Sequence, residues 1–263
     1  QDMPNIKKVE SPHLLYLEGL HVDQYRDPAT KGESYYKEAL ERDPNFAPAL
    51  IALGEAKLRN AFYSEALEYL LRAEKVLTRF NTRLENGKLY YLLGHVYLAL
   101  DEQEKSYDYF RKAALDELLK KKIPVQLVGE GWEKYQTPYE RYRTIEKPVT
   151  FDLSFEKIAR EQIMLDVSPI FNRGVHDRAI AGMANRTVVL TDSNPYRCAH
   201  FKNRKDMMFY SLAKIDSLSE AAGELMENEK LRSEIRENAY QTFCAGHTWR
   251  ARAKEILSWE AED

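Results

Sequence analysis

Cysteine is scarce: Cys198 and Cys244 are the only two in 263 residues, and neither has a second cysteine or a paired histidine at ligand spacing beside it. A disulfide framework and a thiolate zinc site are not indicated, and a reducing, cytoplasmic setting is the simplest expectation. A surplus of one charge sign is also missing. Lysine and arginine number 39 against 42 aspartates and glutamates, and the balance holds in each half, 16 against 18 over residues 1–115 and 23 against 24 over the remainder. Nonspecific binding to nucleic acid therefore has no electrostatic support. Long apolar runs are absent too: none approaches the roughly 20 residues of a membrane span, and residues 1–10 lack the apolar centre of a leader peptide. Gln1 in place of methionine reads as the start of a processed or excised piece. What is present is a composition 44% hydrophobic and 31% charged, that of a soluble globular protein. The length exceeds one small core, so two domains are expected, residues 1–115 and 116–263.

Residues 14–114 repeat a pattern of paired helices. Leu53-Gly54, followed by Ala66, Leu70 and Ala73, returns as Leu93-Gly94, followed by Ser106, Phe110 and Ala113. The two glycines are 40 positions apart, one repeat of about 34 residues plus a short extension at 82–87. An earlier copy puts Gly19 near the glycine position, with Gly32, Tyr36, Ala39 and the Asp43-Pro44 stop at the later anchors. Small residues let the two helices of a unit approach closely, while leucine and tyrosine fill the groove left to the next unit. The region resembles the tetratricopeptide repeat family, which implies an α-solenoid of about three repeats with a concave face for a peptide or protein partner. Tyr16, Tyr25, Tyr35, Tyr63, Tyr91 and Tyr97 either line that face or fill the inter-repeat core, the commoner use. The last helix carries on from Ser106 toward Ile123-Pro124, so the following domain is expected to cover the end of the array.

The second half changes period. Apolar runs at 123–128, 145–151, 163–167, 187–190 and 207–210, separated by helical stretches, predict five strands of a parallel, doubly wound sheet. Helices are expected at 154–160, between Gly174 and Thr187, at 216–226, at 229–245, and after His247 with Thr248 as its cap. The first strand empties into Gly129-Glu130-Gly131-Trp132, and ligands of open α/β sheets lie beyond such strand ends. Gly174 stands where the turn after the third strand enters its helix. The amides of Gly174, Val175 and His176 can there face an anion unobstructed, and Arg178, four residues on, leans back toward the same point. A diphosphate fits this arrangement, and an ordinary strand–helix–strand crossover with a surface arginine fits the spacing equally.

Gly129-Glu130-Gly131-Trp132, Ser168-Pro169 with Gly174-Val175-His176-Asp177-Arg178, Met183-Ala184-Asn185, Val188-Val189-Leu190-Thr191-Asp192 with Asn194-Pro195-Tyr196, and His247-Thr248-Trp249 with Arg252-Ala253 and Ile256-Leu257 occur in this order. Together they resemble the C-terminal domain of CgeB-like glycosyltransferases, the spore-maturation type with the GT-B architecture, over residues 115–259. The resemblance implies a Rossmann-like α/β donor-binding half that takes a nucleoside-diphosphate sugar and requires no metal. It implies Gly129, Gly131 and Trp132 beside the nucleoside. Gly174, His176 and Arg178 would lie on the diphosphate or sugar, and Asp192 and Asn194 would close the crevice floor. No catalytic base is identified, because the residues before this half are spent on repeats rather than on an acceptor domain. Ordinary roles compete: His176 as a helix cap, Trp132 as core, Asp192 as a turn cap, with His200, His247 and Trp249 structural. At Ala181 relatives carry an acidic or amide side chain, and at Arg186 they carry glycine. Two functions follow: a glycosyltransferase-like protein whose repeats recruit a protein partner or acceptor, and a non-catalytic scaffold with a degenerate transferase domain. A chimera joined near 114–119, where the repeat period stops, is a third arrangement.

Overall fold

The computed structural model describes residues 5–25, 32–80, 86–171 and 173–259. The Tyr25 side chain and most of the 82–87 extension lie outside the described residues. The chain divides into two units, residues 1–113 with 136–138 and residues 114–135 with 139–263.

The first unit is helical: α1 (Pro12–Tyr25), α2 (Gly32–Arg42), α3 (Ala47–Arg59), α4 (Tyr63–Phe80), α5 (Gly87–Ala99) and the start of α6 (Gln103–Lys120). α1 packs on α2, α3 on α4, and α2 and α4 on the helices that follow them. Small residues set the crossings. A methyl group on Gly54 would lie 2.6 Å from the Leu70 side chain, and one on Gly94 would lie 3.0 Å from the Phe110 ring. One on Gly19 would meet the Tyr36 ring. The same glycine-to-large-residue contact thus recurs in three successive helix pairs, at the positions the sequence pattern marks. Ser106 reinforces the third, its hydroxyl donating to the Gly94 carbonyl at 3.0 Å. Leu50, Ala66, Leu70, Leu89 and Leu93 form one buried cluster, and Leu15, Val22, Tyr35, Tyr36 and Leu53 another. Tyr35 and Tyr97 are core, whereas Tyr16, Tyr63 and Tyr91 are half-buried.

Four helices end in one way. Ala61, Asp101, Lys122 and Arg186 adopt φ of 61°, 59°, 62° and 54°. At each, the following N–H reaches back to a carbonyl five residues earlier: Phe62 to Lys57, Glu102 to Tyr97, Ile123 to Leu118 and Thr187 to Gly182, at 2.9–3.0 Å. This left-handed closure satisfies carbonyls that the helix end leaves unpaired.

The second unit carries β1 (Val125–Val128), β2 (Arg143–Glu146), α7 (Phe151–Arg160), β3 (Ile163–Asp166), α8 (Asp177–Ala184), β4 (Val188–Asp192), α9 (Pro195–His200), β5 (Met208–Tyr210), α10 (Asp216–Glu227), α11 (Glu229–Gly246) and α12 (Trp249–Trp259). All five expected strands are present and parallel, but they form two sheets rather than one: β1–β2, and β3–β4–β5 in sequence order. The reason is visible in the residues. β4 is buried at every position, whereas VQLV alternates and RTIE exposes its two central residues, leaving Gln126, Val128, Thr144 and Ile145 exposed, so β1 and β2 lack the two-faced apolar character of an inserted central strand. β2 also starts earlier than expected and stops before Pro148, which cannot donate to a ladder. Phe151 then opens α7 instead of closing a strand.

α8 lies on the larger sheet. A methyl group on Gly182 would sit 2.5 Å from Val189 Cγ2 and 3.0 Å from Met164 Cε, so the helix rests almost on the strands. α11 backs α8 and α10 covers β5. The Thr248 hydroxyl accepts from the Ala251 N–H at 3.1 Å, the expected cap. Among the described residues no helix is long and apolar enough to cross a membrane.

Candidate functional site

β3 and β4 both end in aspartate, and the loops leaving them, 167–176 and 193–194, lie at the carboxyl end of the sheet. Beneath these loops is a buried polar cluster. Asp166 and Arg197 are fully buried, and Asp192 is 2% exposed. The Arg197 Nη1 group donates to the Asp192 carbonyl at 2.6 Å and to Asp192 Oδ2 at 2.7 Å, and its Nη2 lies 3.7 Å from Asp166 Oδ2. Ser168 joins the two acids, its N–H donating to Asp192 Oδ1 and its hydroxyl to Asp166 Oδ2, both at 2.7 Å. Thr191 Oγ1 donates to the same Asp166 oxygen at 3.2 Å. Burial pushes the Asp192 carboxyl above its ordinary value, with the Arg197 guanidinium opposing the shift.

Asn194 connects the cluster to the loop above. Its Oδ1 accepts from the Arg197 N–H at 2.7 Å, capping α9. Its Nδ2 donates to the Phe171 and Gly174 carbonyls. Asp192 and Asn194 thus hydrogen-bond to Ser168, Phe171 and Gly174 of the segment that leaves β3.

The helix start falls later than the sequence suggests. α8 begins at Asp177, and His176 is its N-cap: Nδ1 accepts from the Arg178 N–H at 3.1 Å. The capping role, one of the two weighed for His176, is therefore filled. Burial, and secondarily the Arg178 charge, holds the imidazole below its ordinary pKa, which keeps Nδ1 free to accept. Gly174 stands two residues before the cap, at negative φ, with open space where a side chain would be. The N–H groups of Gly174, Val175, His176 and Asp177 donate to no acceptor among the described residues. Four consecutive unspent amides at a helix start form a concentrated patch of positive potential. Arg178 stands next to them, its side chain 40% exposed and Nε 4.0 Å from Asp166 Oδ1.

Gly129, Gly131 and Trp132 lie elsewhere in the unit, at the ends of β1 and β2. Gly129 and Gly131 need their φ of 137° and 84°, which other residues rarely adopt. Both line a cavity of about 530 Å³ whose walls include Glu130, Glu133, Lys134, Glu146 and Lys147. Trp132 is half-buried beside Gly129 rather than in the lining. Glu146 hydrogen-bonds Lys157, which holds its carboxyl below the usual range. The residues expected at the diphosphate (Gly174, His176, Arg178, Asp192 and Asn194) come together, while of those expected at the nucleoside Gly129 and Gly131 line a cavity of their own and Trp132 stands outside its lining.

Sequence reasoning passed over Asp166 and Arg197, and gave Ser168 no role beyond its place in a motif. The signal was there in part: two parallel strands ending in aspartate require a cation, and Arg197 stands on the first turn after the second of them. The two departures also acquire places. Ala181 is buried on α8. Arg186 precedes β4, at the end of the strand remote from the loops, with its guanidinium 3.6 Å from the Tyr240 ring centre and 3.4 Å from Glu237. Glycine adopts such a left-handed turn without strain, and the arginine side chain contacts Tyr240 and Glu237 of α11 rather than the loops.

A family model described as glycosyl transferase-like matches residues 110–258. No curated protein and no solved structure matches the chain.

Proposed function

Because the chain belongs to the glycosyl transferase-like family, we propose that its second unit binds a nucleoside-diphosphate sugar, in the manner of the donor half of a CgeB-like GT-B enzyme. The observation that carries this reading is the run of unspent amides from Gly174 to Asp177 beside Arg178, at the carboxyl end of a parallel sheet. Pyrophosphate lies across those amides, with the guanidinium on its oxygens. The cavity at Gly129 and Gly131 takes the nucleoside. When the bond between the anomeric carbon and the diphosphate breaks, its electron pair moves onto the phosphate oxygen. Donors already aimed at that oxygen stabilise the transition state more than the ground state.

The first unit, in the same reading, is a tetratricopeptide array that docks a protein partner or acceptor in the cytoplasm. Support comes from the three recurring contacts of Gly19, Gly54 and Gly94 with the second helix of each pair. Calorimetric titration with uridine and guanosine diphosphate sugars tests the function. Micromolar binding that Arg178→Ala weakens by about tenfold to a hundredfold supports the donor site, since a hydrogen bond to a charged group contributes about 1.5–3 kcal/mol. Binding accompanied by slow sugar hydrolysis marks a transferase, and no heat with any donor leaves the scaffold reading.

A further inference from the structure

We propose that Glu130 makes the cavity at the ends of β1 and β2 selective for guanine, an inference that rests on the nucleotide reading above and adds the identity of the base. β1 and β2 run parallel and finish together, where the Gly129 N–H donates to the Glu146 carbonyl at 3.1 Å. Ile145 and Pro148 give the wall an apolar part for the face of a planar ring, and charged side chains supply much of the rest. Part of that charge is already spent. Glu146 accepts from Lys157 and Gln126, and Glu133 is also engaged within the protein. Glu130, Lys134 and Lys147 have no partner among the described residues, so one carboxylate and two ammonium groups of the lining are left to meet a ligand.

A carboxylate in a nucleotide cavity works against the ligand's phosphates unless the base turns donors toward it, and its presence therefore discriminates among bases. Guanine alone of the four RNA bases carries two adjacent donors, N1–H and N2–H, on its pairing edge, which match the two oxygens of a carboxylate. Its O6 and N7 accept from lysine. Uracil offers a single N3–H between two carbonyls, and adenine and cytosine offer one amino group beside a ring acceptor. At each of these three a carboxylate oxygen meets a lone pair. Glu130 is exposed, so water competes for it and the selectivity is modest.

The test is calorimetric titration of the full chain with guanosine, inosine, uridine and xanthosine diphosphates. The unaltered protein binds guanosine diphosphate about tenfold more tightly than uridine diphosphate, the lower end of what a bidentate pair between side chain and base contributes to discrimination. Inosine diphosphate, which lacks the N2 amino group, falls between them. Glu130→Gln removes the advantage of guanosine, does not weaken uridine, and favours xanthosine diphosphate, whose C2 carbonyl faces the new amide. Equal or reversed affinities for guanosine and uridine diphosphates in the unaltered protein overturn the inference. So does an equal loss of both in Glu130→Gln, which places the carboxylate on the shared ribose. In either case the nucleotide site stands. If none of the diphosphates binds the unaltered protein, the nucleotide reading itself falls, and the inference with it. If Glu130→Gln does not fold, the order of affinities in the unaltered protein decides: guanosine, then inosine, then uridine supports the inference, and any other order overturns it.

Discussion

Replacing Arg197 with methionine isolates the cluster on which the site stands. The side chain is fully buried and makes two hydrogen bonds to Asp192 and an ion pair with Asp166. Methionine fills much of the volume, so the cavity contribution is small and the electrostatic one dominates. Two buried carboxylates are left without their central cation, and breaking such a pair costs about 3–5 kcal/mol, against a total stability of about 5–15 kcal/mol. At about 2–4 °C per kcal/mol for a unit of this size, the melting temperature at pH 7.5 falls by about 6–20 °C. The sign of the pH dependence follows. Asp192 is already raised above its unfolded value, and loss of Arg197 raises it further, so the penalty is full above the folded pKa and is relieved as pH falls below it. The gap between variant and unaltered protein therefore narrows toward pH 5, and Asp192→Asn added to Arg197→Met recovers part of the loss at pH 7.5. Differential scanning calorimetry across that range checks each point. A variant melting within about 2 °C of the unaltered protein at pH 7.5 refutes the account of the cluster.

Three further outcomes are expected. Arg186→Gly is close to neutral by urea denaturation, because relief of about 1 kcal/mol of left-handed strain offsets an exposed cation–π contact and ion pair of similar combined size. Arg186→Ala keeps the strain, loses the contacts and destabilises by about 1 kcal/mol. Glycine-to-alanine changes in helices differ in sign with surroundings. Gly54→Ala destabilises by about 1–2 kcal/mol, the Leu70 clash at 2.6 Å outweighing the helix gain, whereas Gly223→Ala, with open space around it, stabilises by about 0.5–1 kcal/mol. His176→Ala costs about 1 kcal/mol at pH 8 as the α8 cap is lost. Because the folded pKa of His176 is depressed, that contribution is complete above pH 6.5 and disappears as pH falls through the folded value, so the two proteins converge at low pH.

Much of this architecture was legible in residue order. The spacing of Gly54 and Gly94 located two close helix crossings, and the apolar runs located all five strands. What pattern alone concealed was sheet membership, since four-residue strands such as β1 and β2 announce direction and burial but not their neighbours. The sequence put the entry to α8 at Gly174, whereas the helix starts at Asp177 with His176 as its cap, a role already weighed for that residue. Arg197 was passed over because a charged residue on a short helix ordinarily reads as surface, and only three-dimensional placement brings it between two aspartates. The amides expected to face an anion, those of Gly174, Val175 and His176, donate to no acceptor among the described residues, and the same holds for Asp177.

The most direct measurement is a crystal structure of the protein with a bound nucleoside diphosphate. The account predicts phosphate density within hydrogen-bonding distance of the Gly174–Asp177 amides and of the Arg178 guanidinium, with the base directed toward Gly129 and Gly131. Phosphates bound away from that helix start, or an Arg178 still turned from the ligand, contradicts it.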